Sequence, residues 1–212
     1  MAMSTGSVER TDRRQRRRQE TICEVLDVAL QVMAEQGVAG LSLGEVARRM
    51  GIRPPSLYVY FDSKNALYDA IFARGWGALG AVMEPIVDSA GGDVRAYLLR
   101  NAEAFVRWSV EHPAYAQLMF WRPVPGYEPS PEAYEPAVRL MERGRAALIA
   151  WRDRGALRAD VGVDELERAW TSVISGVVSQ QLANAPAERF EDGRFTALLP
   201  QVVEMYLRFY TP

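Results

Sequence analysis

The stretch "GIRPPSLYVYFDSK", residues 51–64, sets two adjacent prolines ahead of two tyrosines, a phenylalanine and the only lysine of the chain. Proline is accepted in the first turn of a helix, where the backbone amides have no intrahelical partner. The two prolines therefore predict that a short helix starts at Pro54 and Pro55. Leu57 and Phe61 lie four positions apart on one face, and with Ile52 we expect them to face a core.

The preceding residues, "GLSLGEVARRMG" (40–51), predict another short helix. Ser42 is placed to cap its start, Glu45 follows three residues later as in a capping box, and Gly51 ends it. Two short helices joined by a tight turn are typical of a helix-turn-helix, whose second helix enters the major groove of DNA. The alternative is a small helical corner whose tyrosines pack on neighbouring helices.

Upstream, apolar residues recur with helical spacing from Thr21 until Gly37, which predicts a first helix. Before it, "RTDRRQRRRQE" carries six arginines between positions 10 and 18. This segment is either a solvated terminal arm or an electrostatic arm for a polyanion, because arginines near phosphates displace condensed counterions. The charge is uneven: residues 1–64 hold ten Lys/Arg against eight Asp/Glu, and residues 65–212 hold fifteen against nineteen.

Composition indicates a globular protein: 49% of the 212 residues are hydrophobic and 25% are charged. The single cysteine, Cys23, rules out an intrachain disulfide framework and fits a reducing compartment. No run of 18 apolar residues predicts a membrane span, and the arginine-rich start lacks the apolar block of a secretion signal. We therefore expect a cytoplasmic protein.

Helical periodicity continues through the rest of the chain. Further helices are predicted from Ser63 to about Met83, over about 93–111, over a shorter segment ending at Trp121, and over about 134–154, 164–184 and 192–210. The stretch "RPVPGYEPSPEAYEP" (122–136) has five prolines and predicts an irregular loop. The fold class is therefore predicted to be all-α, with about nine helices.

Residues from about 18 to 70 resemble the TetR family of transcriptional regulators. The order of Gly37, Ser42, Gly51, the "LYVYF" run at 57–61, Lys64 and Leu67 carries the resemblance. It implies that Ser42 and Lys64 anchor phosphates, and that Tyr58 and Tyr60 contact the backbone or bases. The complete set of DNA-contacting positions expected in this way is Ser42, Gly44, Arg53, Pro54, Pro55, Ser56, Tyr58, Tyr60 and Lys64. The paired prolines depart from the family pattern, and Gly44 has no side chain for a base contact. Readout is therefore expected to be more apolar and shape-based, with thymine methyls as partners.

The resemblance also implies an organisation and a function. Residues 1–17 would be a flexible arginine-rich arm, 18–66 the DNA-binding domain, and 67–212 an effector-binding and dimerisation domain. The expected protein is a ligand-responsive regulator, a repressor, that binds a palindromic operator as a homodimer. The alternative is a helical small-molecule-binding module without a DNA role.

Aromatic residues suggest where an effector binds, because all five tryptophans lie beyond the DNA-binding segment. Side chains from four predicted helices could enclose one apolar cavity, although core packing is the simpler explanation for any one of them. The expected lining is Phe105, Trp108, Met119, Phe120, Trp121, Met141, Trp170 and Ile174. This set favours a small, mainly hydrophobic effector.

Enzymatic functions have little support in the sequence. "GWGALG" (75–80) has the glycine spacing of a dinucleotide-binding loop, which raises a nucleotide-dependent oxidoreductase as a remote alternative. That motif needs an entering strand, whereas the residues before it are helical in pattern. One histidine, His112, and one cysteine cannot form a His/Cys zinc site. We therefore expect no enzyme activity, no cofactor and no metal.

The glycines of "GWGALG" must then have another role. They either pack closely against a bulky neighbour such as Trp108 or weaken the fourth helix as a hinge.

The last two predicted helices each carry an apolar stripe that could pair with its symmetry mate as a four-helix bundle. The stripes are Leu166, Trp170, Val173, Ile174, Val177 and Val178, and Phe195, Leu198, Leu199, Val202, Val203 and Tyr206. This arrangement predicts that Val177→Glu or Val202→Glu gives monomers.

Overall fold

Helices make up the regular structure of the chain. The computed structural model describes the backbone of residues 5–89 and 92–212 and the side chains of residues 13–89 and 92–212. This described part has nine α-helices and no strand, which confirms the predicted all-α class. The helices are α1 (Thr5–Gln36), α2 (Leu43–Arg49), α3 (Pro54–Leu57), α4 (Lys64–Asp88), α5 (Val94–Glu111), α6 (Pro113–Phe120), α7 (Pro131–Asp153), α8 (Val163–Asn184) and α9 (Leu199–Tyr210), and two short 3-10 turns cover Val38–Gly40 and Thr196–Leu198.

The helix-turn-helix forms largely for the predicted reasons. The Ser42 hydroxyl accepts a hydrogen bond from the Glu45 backbone amide and caps α2. Gly51 follows with φ of 67°, a left-handed conformation that glycine adopts without strain. The capping box is only half formed, because the Glu45 carboxylate binds Arg48 and Arg49 instead of the Ser42 amide.

Helix α1 is longer than predicted. It begins at Thr5, so residues 5–17, which the sequence separated as a flexible arm, continue directly into it. Arginine, glutamine and glutamate are good helix formers, and no glycine or proline interrupts residues 7–36. Residues 1–4 of the predicted arm lie outside the described backbone.

Two helix boundaries differ from the prediction at prolines. Helix α4 continues past Pro85 to Asp88, because Met83 and Val87 on either side of the proline are both buried and hold that turn in place. Helix α7 starts at Pro131 instead of near residue 134, with the Ser130 hydroxyl accepting from the Ala133 amide. The loop predicted over residues 122–136, called the proline loop below, therefore ends at Ser130 and is shorter than its five prolines suggest.

The predicted start of the last helix, near residue 192, is wrong. The buried side chain of Gln181 donates to the Ala185 carbonyl and accepts from the backbone amides of Phe195 and Thr196. The Gln181 side chain thus pairs with backbone amides between α8 and α9 that would otherwise need the hydrogen bonds of a helix. Helix α9 accordingly begins only at Leu199.

Two hydrophobic cores organise the molecule. The first joins buried residues of α1–α3 to α4 as far as Met83 and to α6, including Leu57, Phe61 and Ile71. The second is formed by α5, α7, α8 and α9. Helix α4 packs most extensively on α7 and also contacts α5, α6 and α1, so it connects the helix-turn-helix to the rest of the chain. Among the described helices, none is long and apolar enough to cross a membrane.

Candidate DNA-binding face and ligand cavity

Helices α2 and α3 present an exposed face supported by buried anchors. Leu57 is fully buried and Phe61 nearly so, as the spacing predicted. The opposite side is open to solvent: Tyr58 is 54% exposed and Val59 is 66% exposed. The predicted contact positions Ser42, Gly44, Arg53, Pro54, Pro55 and Ser56 are also exposed, and Tyr60 and Lys64 are half-buried. The structure therefore brings the predicted DNA-contacting positions together around one helix-turn-helix.

Lys64 differs from the free phosphate anchor that the sequence suggests. Its ammonium group donates to the Ala39 carbonyl at 3.1 Å and lies 5.3 Å from the centre of the Tyr68 ring. Ser42 uses its oxygen to cap α2, which leaves its hydroxyl proton available to a phosphate. Arg53 has no hydrogen-bond or ion-pair partner among the described side chains, so its charge is available to an external anion.

Arg18 connects the arginine-rich segment of α1 to this face. Its guanidinium lies 5.4 Å from the centre of the Tyr60 ring and 3.5 Å from the Val59 carbonyl. The next arginines towards the N-terminus, Arg13, Arg14, Arg16 and Arg17, are exposed on the same helix. Sequence reasoning missed both this contact and Val59, an exposed apolar residue between the two tyrosines.

The outer side of α2 is stabilised by an ion-pair cluster. Glu45 pairs with Arg48 at 2.7 Å and with Arg49 at 2.8 Å, and Arg49 also pairs with Glu35 of α1 at 2.5 Å. Hydrogen bonds from Arg48 and Arg49 lower the pKa of Glu45 to about 2. Arg49 therefore links α2 to α1 and Arg48 pairs within α2, whereas Arg53 is left free for an external anion.

A cavity of about 190 Å³ lies between α4, α5, α7 and α8. Most of its lining is apolar and aromatic, including Trp76, Phe105, Phe120, Met141 and Trp170. Such a concave, mostly apolar site with a few polar groups is the usual form of a small-molecule site.

Polar groups occupy a small part of the cavity wall. Asn101 is 8% exposed, and its side-chain oxygen accepts a hydrogen bond of 2.9 Å from the Trp170 indole N–H. Arg145 of α7 binds Glu167 of α8 at 2.8 Å and Asp164 at 2.5 Å. The Thr171 and Ser175 side chains also line the cavity.

Five of the eight residues predicted to line an effector site do line this cavity: Phe105, Phe120, Met141, Trp170 and Ile174. The other three do not. Trp108 is buried in the first core and stacks on His112, Met119 packs against Gly75, and Trp121 is 39% exposed at the end of α6. Phe105 packs against both cores, whereas the buried Trp108 belongs to the first core only, away from the cavity.

The sequence contained a signal for the cavity residues that were missed. Glu167, Thr171 and Ser175 lie at helical spacing around Trp170 and Ile174, and Gly144, Arg145 and Leu148 repeat the spacing after Met141. No such spacing pointed to Trp76, because it lies on α4 and the other helices of the cavity wall follow much later in the sequence.

Helix α4 contacts both the cavity and the DNA-binding face. Trp76, Met83 and Val87 line the cavity, whereas near the start of α4 the Tyr68 hydroxyl donates to the Val38 carbonyl at 2.7 Å. The neighbouring Asp69 accepts hydrogen bonds from the Tyr127 hydroxyl and the Ser130 amide of the proline loop. Helix α4 therefore links the cavity wall to the 38–40 turn and to the loop before α7.

The "GWGALG" segment lies in the interior of α4, with no strand entering it in the described chain. It therefore lacks the strand and helix N-terminus that a dinucleotide phosphate requires. A Cβ at Gly75 would lie 2.6 Å from Tyr115 and from the Met119 sulfur, whereas none at Gly77 or Gly80 would meet an atom within 4 Å. Gly75 is thus a packing residue of α4 against α6, with Tyr115 and Met119 as its neighbours instead of Trp108.

Two family models match the chain. Residues 25–71 match the model described as "Bacterial regulatory proteins, tetR family". Residues 98–205, about half of the chain, match "Tetracyclin repressor-like, C-terminal domain". The two matches cover the helix-turn-helix and most of the helices that surround the cavity.

Individual proteins show the same similarity. The chain is 32% identical over 91 residues to the uncharacterized HTH-type transcriptional regulator YobS of Bacillus subtilis, covering 43% of this chain and 47% of that protein. It is 36% identical over 81 residues to the class A tetracycline repressor from transposon 1721 in Escherichia coli, covering 38% and 36%. The chain spans about half the length of the first curated relatives it matches. Among solved structures, the TetR family transcriptional regulator PfmR from Thermus thermophilus superimposes with a TM-score of 0.67 at 23% identity, over 87% of this chain and 97% of that one.

Proposed function

The chain belongs to the TetR family of transcriptional regulators, and from that membership we propose that it is a repressor that binds a palindromic operator as a homodimer and is released by a small, mainly hydrophobic effector. The proposed DNA contacts are made by the exposed residues of α2 and α3, by Lys64 and by the arginines of α1. The proposed effector site is the cavity between α4, α5, α7 and α8.

The observation that carries the DNA-binding proposal is the exposed side of the helix-turn-helix. Tyr58 and Val59 are more than half exposed although both are large side chains next to the buried Leu57. A corner that served packing alone would cover these residues with a neighbouring helix. Exposed hydroxyl, guanidinium and apolar groups on one short helix are instead the groups that contact phosphates, base edges and thymine methyls.

Effector response is proposed to act through α4. A molecule in the cavity contacts Trp76 and Met83 on the same helix whose start holds the 38–40 turn through Tyr68. An effector that binds one position of α4 more tightly than another would favour that position. In a dimer this would change the distance between the two helix-turn-helix motifs.

Selection of bound sequences from random DNA tests the proposal directly. The expected result is an enriched inverted repeat, since a two-fold symmetric dimer reads two equivalent half-sites. Arg53→Ala should lower the affinity for the selected repeat, whereas Arg139→Ala, which removes the same charge from an exposed position on α7, should leave it unchanged. Selection that yields no shared sequence, with folded protein, would favour the small-molecule-binding module without a DNA role.

A further inference from the structure

The cavity contains one buried amide whose orientation is fixed. Asn101 is 8% exposed, and the Trp170 indole nitrogen, which can only donate, lies 2.9 Å from its side-chain oxygen. Because the oxygen must face the indole, the amide nitrogen of Asn101 points away from it. No described residue accepts a hydrogen bond from that nitrogen, although Asn101 lines the cavity.

A second donor in the cavity wall is also unpaired. The indole nitrogen of Trp76 is buried and has no hydrogen-bond partner among the described residues. Both groups can only donate hydrogen bonds, and a buried donor such as the Trp76 indole is unfavourable without a partner. A molecule that occupies the cavity and satisfies either donor must supply an acceptor.

The charge balance argues against an anionic acceptor. Arg145 is the only cationic residue among the described residues that line the cavity, and it already pairs with Glu167 and Asp164. A carboxylate would enter an apolar cavity without a free cation and next to the Glu167 carboxylate, which disfavours its charged form.

Resting on the proposed effector site, we infer that the effector is a neutral, mainly apolar molecule with one hydrogen-bond-accepting oxygen, such as a ketone, ester or amide carbonyl, that binds the Asn101 side-chain amide. The cavity of about 190 Å³ is a little larger than one of about 150 Å³ that holds benzene. A single ring that carries a carbonyl group therefore fits it, and its ring would lie against Phe105, Phe120 and Trp170.

Four probes of matched shape test this inference on the full chain: acetophenone, ethylbenzene, benzoate and 1-phenylethylamine, titrated by calorimetry without DNA. Acetophenone should bind about fivefold tighter than ethylbenzene, as one hydrogen bond predicts, and tighter than benzoate and the amine. Equal affinity of acetophenone and ethylbenzene, tighter binding of benzoate or the amine, or no saturable binding of any probe would overturn the inference.

Asn101→Asp supplies the matched variant, because it keeps an oxygen for the Trp170 indole and replaces the amide donor by a carboxylate. At pH 8 it should lose most of the acetophenone affinity and gain affinity for 1-phenylethylamine. Asn184→Asp, which makes the same chemical change at an exposed position of α8 outside the cavity lining, is the control and should keep the native order of probes. If Asn101→Asp does not fold, as judged by circular dichroism, the order of probes on the native chain decides alone.

The outcome is separable from that of the proposed function. Operator binding is measured with DNA and no probe. A chain that shows the expected order of probes but selects no DNA keeps this inference and loses the repressor proposal. A chain that selects an inverted repeat but shows no preference for acetophenone loses only this inference.

Discussion

Tyr58 lies on the exposed side of the helix-turn-helix, where its side chain is available for a base contact. It is 54% exposed, and its ring follows directly after the buried Leu57. Tyr58→Ala should cost about 1 to 3 kcal/mol of operator affinity. Tyr58→Phe should cost less if the ring contacts a thymine methyl, and as much as alanine if the hydroxyl makes the contact. Affinities of the three proteins for the selected operator decide, and unchanged binding of Tyr58→Ala would contradict the assignment.

Lys64→Ala is expected to act differently from Tyr58→Ala. A phosphate contact carries no sequence information, so operator and random DNA should lose affinity alike. Because Lys64 also donates to the Ala39 carbonyl, the melting temperature must be compared first. A loss of affinity confined to the operator would show that Lys64 reads sequence.

The acid stability of the helix-turn-helix should depend on Glu45. Arg48 and Arg49 lower its pKa to about 2 from the ordinary 4.5. Because the folded-state pKa is lowered, the contribution of Glu45 to stability is present above about pH 4.5 and is lost as the pH falls towards 2. Glu45→Gln should therefore melt below the wild type at pH 6, and the gap should close between pH 4.5 and 2.

The control for this pH experiment is Glu24→Gln, which changes an exposed glutamate of α1 outside the ion-pair cluster. It should melt closer to the wild type at pH 6 than Glu45→Gln does. A gap for Glu45→Gln that stays constant down to pH 2 would show that the cluster does not stabilise the folded state.

At the scale of single residues, the sequence predicted which side chains are buried or exposed better than it predicted which side chains contact each other. The burial of Leu57 and Phe61 and the exposure of Tyr58 followed from helical spacing, which local geometry determines. The bonds of Lys64 to Ala39 and of Arg18 to Tyr60 did not, since they join segments that only the tertiary fold brings together. Glu45 shows a different limit, because Arg48 and Arg49 of the same helix compete with the local capping bond.

The three glycines of α4 are expected to behave differently from one another. Gly77→Ala and Gly80→Ala each remove a helix-interior glycine where a Cβ meets nothing within 4 Å, so each should raise stability by about 0.5 to 1 kcal/mol. Gly75→Ala should lower stability, because its Cβ would lie 2.6 Å from Tyr115. Thermal unfolding of the three variants provides the measurement.

The same variants test the hinge hypothesis. If α4 bends at Gly77 or Gly80 when the effector binds, alanine there should keep operator affinity and reduce effector-induced release. A normal response in both variants would leave these two glycines without a role in signalling.

The arginine-rich start of α1 should contribute non-specific affinity. Replacing Arg13, Arg14, Arg16 and Arg17 with alanine preserves helix propensity and removes four exposed charges. The slope of log affinity against log salt should become shallower by about 0.9 for each phosphate that the arginines no longer neutralise. An unchanged slope would identify the segment as a solvated extension that does not touch DNA.

At the scale of helices, the sequence predicted which helices form better than it predicted where each begins and ends. The nine helices followed from apolar periodicity and caps. The start of α9 did not, because the buried side chain of Gln181 takes up the backbone amides of Phe195 and Thr196 in place of a helical turn. Pro85 failed to end α4 because the burial of Met83 and Val87 outweighs one missing hydrogen bond.

For the molecule as a whole, the two functional regions share a core. Residues of α1–α3 are buried together with Tyr68, Phe72 and Leu79 of α4 and with α6. The sequence divided the chain at residue 66, where the family pattern becomes weak, but packing continues across that point. A shared core gives α4 no freedom to move independently of the helix-turn-helix, which suits the proposed transmission through this helix.

We place the proposed dimer surface on the apolar side chains of α9 that the second core leaves exposed. Most of the stripes predicted for dimerisation, including Leu166, Ile174, Val178 and Val203, are buried within the protomer's own second core. The exposed side of α9 carries an apolar row that keeps two members of the predicted stripe, Leu198 at 48% exposed and the half-buried Val202, and adds Met205 at 70% and Phe209 at 61%. Sequence periodicity could not separate the two rows, because both sides of α9 are apolar.

The variants that test dimerisation change accordingly. Val177→Glu would place a charge in the protomer's own core, since Val177 is 8% exposed, and the resulting unfolding would obscure any effect on assembly.

Met205→Glu and Phe209→Glu instead introduce charges at the exposed row, where a two-fold interface would place each next to its own symmetry mate. We expect both variants to fold and to sediment as monomers, with Val82→Glu, a change at an exposed apolar residue of α4, as the dimeric control. Monomers should bind the full operator weakly, because each reads one half-site. If the Met205→Glu/Phe209→Glu double variant still sediments as a dimer, the interface lies on another surface.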